Sequence, residues 1–230
     1  MPNHISKATL IGHMLSMSLF LNAQNFNYSH SVQSSGFVFL DSTKVVVDHS
    51  IWDDNTYEIS LGFNFNFAGS AFDSVKINTN GTLSFGNNHQ YNFAALFKNF
   101  IADATAERSL LSPISYQRTG SGGSVSLKIE FKNVMLIMAN GNHRYLNFQI
   151  WLNETDHSVE FRMGDADSDL IAQACLLGLI NMNNITDFSV GYLLQGDPAS
   201  PSGAMVPALG NVVELTSLPA SGTIYKFTSN

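Results

Sequence analysis

Strict alternation of apolar and polar residues in one short stretch limits most strongly how this chain can fold. Large apolar side chains occupy every second position, and the positions between them carry Gly or Asn: Leu61, Phe63, Phe65 and Phe67 alternate with Gly62, Asn64 and Asn66. Residues two apart point to the same face of a β-strand. The stretch therefore predicts a strand with one Phe-rich buried face and one amide-rich face.

The residues that follow predict two more strands and a tight turn. Phe72, Val75 and Ile77 begin a second run, and Asn80-Gly81 separates it from a third run that begins with Leu83 and Phe85. Asn-Gly supplies the two positive-φ residues that a type I′ hairpin requires. Leu61–Gly86 is thus predicted to form three antiparallel strands.

Short apolar or alternating runs separated by turn residues continue through the rest of the chain. They are Gly36–Leu40, Lys44–Val47, Leu110–Gln117, Val125–Phe131, Met135–Met138, Leu146–Leu152, Val159–Met163, Cys175–Ile180, Phe188–Leu194 and Thr223–Phe227. About a dozen strands at this spacing predict an all-β fold, a two-sheet antiparallel β-sandwich of jelly-roll-like type. We expect its core to include Phe63, Phe65, Phe148, Ile150 and Phe161, because each lies on the apolar face of an alternating strand.

Tyr91–Glu107 departs from this pattern. Phe93, Leu96, Phe97 and Phe100 have helical spacing. We therefore predict a partly helical loop near residues 91–108.

Charge is scarce in this sequence and is not clustered. Charged residues make up 13% of the 230 residues, the net charge is −7, and Lys and Arg form no cluster. These features disfavour nucleic acid and anionic membrane surfaces as partners. The polar residues are mainly Asn, Ser, Thr and Gly, a mixture typical of extracellular β proteins. Cys175 is the only cysteine, so no internal disulfide forms, and its apolar neighbours predict a core position.

The first residues have the pattern of an export signal. Lys7 precedes the apolar run Ala8–Leu21, and Ala23 supplies a small residue at the cleavage point. We predict a signal peptide over residues 1–23 and one β-sandwich domain over 24–230, with no membrane span in the mature chain. The protein would be secreted, periplasmic or at the cell surface. The alternative is a buried N-terminal helix.

Several blocks of this sequence together resemble a known kind of domain. They are LGFNFNFAGSAFDSVKINTNGTLSFG, LLSPISY, KIEFKNV, NFQIWLNETDHSVEFRMG and PASGTIYKF. As an ordered set they resemble a domain of bacterial proteins exported by the type IX route, and the first block resembles the opening of nidogen-type extracellular domains. The resemblance implies an extracellular β-sandwich with an adhesion, interaction or structural role. It transfers no catalytic residue.

Acidic residues offer two candidate chemical sites. Glu154, Asp156 and Glu160 invite comparison with the paired carboxylates of glycosidases, but they fall in a predicted hairpin turn and its returning strand. We therefore expect no enzymatic activity, and a polysaccharide hydrolase is the least favoured function. Asp165, Asp167 and Asp169 form a D-x-D-x-D pattern that can place oxygens around Ca²⁺. The alternative is a solvated acidic loop without a cofactor.

A polar strand face is the most suggestive candidate for ligand binding. Amide and aromatic side chains alternate with the apolar set on one strand and recur on the Phe-rich strand: Tyr145, Asn147, Gln149, Trp151, Asn64 and Asn66. Aromatic rings stack on sugars while amides bond hydroxyl groups, so a carbohydrate-binding module of the concanavalin-like sandwich type is the alternative function. An ordinary solvent-facing sheet, or one covered by a loop such as Tyr91–Glu107, explains the same pattern. Extracellular glycans and other surface proteins are the candidate partners.

Overall fold

The computed structural model describes residues 26–41, 43–47, 52, 54–86, 91–97, 100–101, 112–137, 143–184, 187–206 and 213–230. The predicted signal peptide, most of the segment between 98 and 111, and the Asn140-Gly141 turn lie outside these residues.

Fifteen β-strands and one 3₁₀ turn, Ser168–Leu170, form in the described residues. The strands are β1 Tyr28–Ser34, β2 Lys44–Val47, β3 Thr56–Phe67, β4 Ser70–Asn78, β5 Thr82–Phe85, β6 Tyr91–Phe97, β7 Phe100–Ile101, β8 Ile114–Thr119, β9 Ser126–Ile137, β10 His143–Asn153, β11 Val159–Ala166, β12 Leu176–Asn184, β13 Asp187–Gln195, β14 Ser202–Val206 and β15 Thr223–Ser229. The structure confirms the predicted all-β, antiparallel two-sheet fold.

The strands are divided between two sheets. The eight-stranded sheet has the order β1-β15-β11-β10-β9-β8-β2, with β7 paired to β9 outside this path. The seven-stranded sheet has the order β14-β13-β12-β6-β5-β4-β3. Because β1 and β2 are the two edges of the larger sheet, the chain between them must pass across a face of that sheet.

The core lies between the two sheets and follows from the alternating sequence. The odd-numbered residues of β3 from Leu61 to Phe67 are buried and the even-numbered ones are exposed. The five core residues predicted above are all buried, which confirms the period-2 interpretation. Phe65 and Phe67 stack on Phe85 with ring centroids 5.5 and 4.9 Å apart. Cys175 is also buried, as expected.

The prediction of a partly helical loop is wrong for its first half. Tyr91–Phe97 is strand β6, and Phe100–Ile101 is strand β7; residues 102–108 lie outside the described part. β6 pairs with β5 on one side and with β12 on the other, so hydrogen bonds to two neighbours fix its extended backbone. Short apolar runs satisfy helix and strand periods alike, and here the sheet pairing decides between them.

The hairpin at Asn80-Gly81 also differs from the prediction. Asn78 pairs with Thr82, so the loop has three residues, and of these only Gly81 has a positive φ, at 80°. A type I′ turn would need positive φ at both central residues. Asn78 Oδ1 instead accepts the Asn80 N–H at 2.8 Å, and this bond favours the wider turn.

Candidate functional site

The apolar run Gly36–Leu40 is not a strand but part of a segment that crosses the outer face of the eight-stranded sheet. We call residues 35–41 the strap. From Ser34 to Lys44 the chain passes five intervening strands. Six strand spacings cover about 29 Å and ten extended residues reach about 33 Å, so the strap must be nearly straight.

Four hydrogen bonds fasten the strap to successive strands and to the turn before β15. They run from Ser35 N to Gly222 O at 2.9 Å, from Gln149 Nε2 to Val38 O at 2.9 Å, from Leu40 N to Glu130 Oε2 at 2.9 Å, and from Gln117 Nε2 to Asp41 O at 2.8 Å. The strap therefore covers part of the polar face that the sequence predicts for β10.

Beneath the strap, Glu130, Gln149 and Trp151 form a chain of hydrogen bonds. Gln149 donates to Glu130 at 2.8 Å, and Trp151 Nε1 donates to Gln149 Oε1 at 2.8 Å. Glu130 is only 2% exposed, and this burial raises the pKa of its carboxyl group although Leu40 and Gln149 donate to it. The Gln149 side chain thus forms hydrogen bonds with the strap, Glu130 and Trp151.

Two cations lie over the ring of Trp151. Lys128 Nζ on β9 is 4.1 Å from the ring centroid, and Arg162 Cζ on β11 is 3.5 Å from it. Arg162 forms a salt bridge of 2.9 Å with Glu160, whereas Lys128 has no salt-bridge partner in the described part of the chain. Burial lowers the pKa of Lys128, the charge of Arg162 lowers it further, and Glu160 and Asp41 oppose this.

A cavity of about 360 Å³ opens between the strap and the sheet. The strap forms one wall, and Lys128, Trp151, Arg162 and Met163 contribute to the other. Its volume is in the range of ~300–1,000 Å³ that is usual for small-molecule sites. The cavity combines an aromatic ring, two cations and backbone groups of the strap.

The whole sandwich, from β1 to β15, matches one known family. The family described as "NIDO related" matches residues 27–229. The chain belongs to the NIDO-related family. This match confirms the nidogen-type part of the resemblance and makes the chain a nidogen-like extracellular domain. The chain matches no curated protein and no solved structure. The described part of this NIDO-related domain contains no apolar helix of bilayer-spanning length.

The six residues of the predicted ligand face do not share one surface in the NIDO-related domain. Asn64 and Asn66 are exposed on β3 of the seven-stranded sheet, whereas the other four lie on β10 of the eight-stranded sheet. The inner faces of the two sheets share the core, so these two sets face opposite sides of the sandwich. The structure therefore brings together Gln149 and Trp151 but separates them from both β3 amides.

The side chain of Asn147 bonds the backbone of the two strands beside β10. Between Leu146 and Phe148 the register of β10 shifts by one residue relative to both β9 and β11. Asn147 therefore lies opposite two residues on each neighbouring strand, which is a β-bulge on each side. The Asn147 amide spans these bulges: Oδ1 accepts the Asn133 N–H at 2.8 Å, and Nδ2 donates to Asp165 O at 3.0 Å. Bulged backbone groups lose their ladder partners. The buried amide replaces them.

Each acidic residue considered for hydrolysis forms a hydrogen bond or a salt bridge with another residue of the domain. Glu154 Oε2 accepts the Val125 N–H at 2.9 Å, and Asp156 lies 2.7 Å from Lys226 Nζ. Glu160 pairs with Arg162. For Asp156, burial would raise the pKa, but hydrogen bonds from Lys226 and Ser158 outweigh it and lower the pKa overall.

The three aspartates considered for Ca²⁺ are not gathered around one point. Asp167 Oδ2 accepts the Tyr145 N–H at 3.0 Å, and Asp169 forms a salt bridge with Arg144. Among the described residues, no group of three His, Cys, Asp or Glu side chains is arranged to hold a metal ion. The D-x-D-x-D pattern thus contributes to backbone and surface contacts around the end of β11.

The sequence allowed for a loop over the polar face of β10 but suggested Tyr91–Glu107, whereas the strap covers it; neither the strap nor the two cations were found. Lys128 and Glu130 alternate with apolar residues in the sequence of β9, and this pattern alone is typical of any solvent-facing strand. The cavity depends on the strand order, because a polar sheet face becomes a cavity wall only when another segment of the chain crosses it. The sequence does not give that strand order.

Proposed function

We propose that this chain is a non-catalytic interaction domain, secreted or held at the cell surface, with an adhesive or structural role. The observation that carries the proposal is the NIDO-related match over residues 27–229, which includes every strand of both sheets. The match therefore favours a function that depends on the whole fold over a function carried by a single short motif.

The surroundings of the acidic residues support a non-catalytic role. A glycosidase needs two carboxyl groups that face a shared substrate site. Here Glu154 accepts a backbone N–H just before β9, Asp156 is paired with a lysine of β15, and Glu160 is paired with Arg162. These contacts favour a stable turn over acid–base chemistry.

Binding to the producing cells tests this proposal directly. Purified protein that begins at Gln24 is labelled and added to intact cells and to the extracellular material shed by them. We expect saturable retention that an excess of unlabelled protein abolishes. Equal retention of a heat-unfolded sample, or no retention on either material, would contradict an interaction role.

A parallel assay tests the absence of catalysis. The same protein is incubated with a panel of polysaccharides, and released reducing ends are measured beside Glu154→Gln and Asp156→Asn variants. We expect background release from all three proteins. Turnover by the unmodified chain that disappears in either variant would establish a hydrolase.

A further inference from the structure

Most charged side chains beneath the strap have a bonded partner. Arg162 has Glu160 as its partner, and the buried Glu130 carboxylate accepts from Leu40 and Gln149. Lys128 lines the cavity, and the charges of Glu160 and of Asp41, which also lines it, act on Lys128, but neither carboxylate forms a salt bridge with it in the described ranges. Its ammonium group is held 4.1 Å from the Trp151 ring centroid. A positioned cation at a cavity wall is suited to receive an anionic group of a ligand.

We propose that the cavity between the strap and the eight-stranded sheet binds an acidic saccharide through a carboxylate that contacts Lys128. The inference deepens the proposed function and rests on it, since an extracellular interaction domain encounters such sugars. It also changes the role expected for Trp151. With Lys128 and Arg162 both over its ring, Trp151 positions cations and does not offer a free stacking surface.

The shape of the cavity favours a compact ligand over an extended peptide. The strap already lies along the face of the sheet and is bonded to Gln149 and Glu130, so a peptide strand cannot take that path without displacing it. The space left, about 360 Å³, suits one or two sugar rings.

The overall charge favours a ligand with a single carboxylate. The protein has a net charge of −7, so a highly charged polymer would be repelled by most of the surface. A short uronic acid meets this repulsion least, because charges further away than about 8 Å are largely screened at physiological ionic strength. Galacturonic and glucuronic acid are therefore the probes of choice.

Isothermal titration calorimetry of the full mature chain with these two acids tests the inference, with galactose and glucose as uncharged counterparts. We expect binding of a uronic acid and none of its neutral counterpart. Lys128→Gln should weaken binding about tenfold or more, since a charge-assisted hydrogen bond is lost.

Lys132→Gln is the matched control. Lys132 lies on the same strand and contacts the Phe39 ring, 4.8 Å from its centroid, but does not line the cavity. The control should bind as tightly as the unmodified chain. Equal loss in both variants, or equal binding of neutral sugar, would overturn the proposal.

A second readout needs no variant. The chain has two Trp residues, so its NMR spectrum contains two indole N–H signals. Uronic acid should shift the Trp151 signal, because that indole bonds Gln149 beside the cavity, and leave the buried Trp52 signal in place. Absence of a Trp151 shift, or binding of an acidic peptide in place of the sugar, would refute the saccharide site.

The two proposals fail separately. If cells retain the protein but neither uronic acid binds, the interaction role stands and the cavity proposal is refuted. If a uronic acid binds with the predicted Lys128 dependence but cells and matrix do not retain the protein, the cavity proposal stands and the interaction role fails.

Discussion

At the scale of single residues, several polar side chains of the eight-stranded sheet are buried and hydrogen-bonded. Asn147, Gln149 and Glu130 are each at most 8% exposed, and each bonds groups on another element. Burial of a polar group is costly unless it is hydrogen-bonded, so each of these partners matters. Asn147 and Gln149, which the sequence offers as ligand contacts, therefore hold parts of the fold together.

Asn147 provides the sharpest test of this view. Asn147→Ala removes the bonds to Asn133 N and Asp165 O together, and should lower the free energy of unfolding by about 2–4 kcal/mol. Asn64→Ala, at an exposed position of β3, should change it by less than about 0.5 kcal/mol. Urea denaturation monitored by circular dichroism measures both. Similar values for the two variants would show that the bulges do not depend on the amide.

Glu130 predicts a pH dependence of stability. Its pKa in the folded chain is raised by burial above the ordinary value near 4.5. Folding is therefore favoured most when the group is protonated, and this contribution is lost as the pH rises through the raised pKa. Glu130→Gln keeps an acceptor oxygen for Leu40 and Gln149 but removes the buried charge.

The stability of Glu130→Gln relative to the unmodified chain should accordingly increase from pH 4 to pH 7. Thermal unfolding at several pH values measures this difference. A difference that is constant across the range, or that decreases toward pH 7, would contradict burial as the dominant cause.

At the scale of elements, the strap depends on a close approach to β11. A Cβ atom at Gly164 would lie 2.8 Å from Phe37 Cε1 and 2.9 Å from both Cβ and O of Asn147. At Gly36, within the strap, an added Cβ would meet nothing within 4 Å. The two glycines are thus a matched pair for testing how tightly the strap packs.

Gly164→Ala should destabilise the domain by about 1–3 kcal/mol, because the strap and the bulge must both shift. Gly36→Ala should be nearly neutral. Hydrogen exchange adds a local measure, since the Leu40 amide, bonded to Glu130, should exchange faster in the first variant only. Faster exchange in both variants, or in neither, would show that this crossing point does not secure the strap.

The elements also show which information the sequence contains. The alternation in β3 and β10 predicted their buried apolar residues, because burial of one face is a local property of an extended strand, but it did not predict that Asn147 and Gln149 on the polar face of β10 are buried as well. The strap has the same apolar composition as a strand, and only the positions of β1 and β2 at opposite edges force it across the sheet. The extended form of β6 likewise depends on partners distant in sequence.

At the scale of the whole molecule, the two sheets are joined at their margins as well as through the core. Arg118 on β8 donates to the backbone oxygens of Ser60 and Leu61 on the edge strand β3, and His157 Nδ1 accepts the Asn66 N–H at 3.3 Å. These contacts occupy backbone groups where an edge strand would otherwise invite pairing with another chain.

The proposed role requires export from the cell, and the N-terminus of the native protein shows whether export occurs. The pattern from Lys7 to Ala23 predicts removal of residues 1–23, and the NIDO-related match begins just after, at residue 27. Mass spectrometry of fractions from the native host should find the protein outside the cytoplasm with an N-terminus at or near Gln24. Recovery of the intact chain, beginning at Met1, in the cytoplasm alone would show that the protein is not exported.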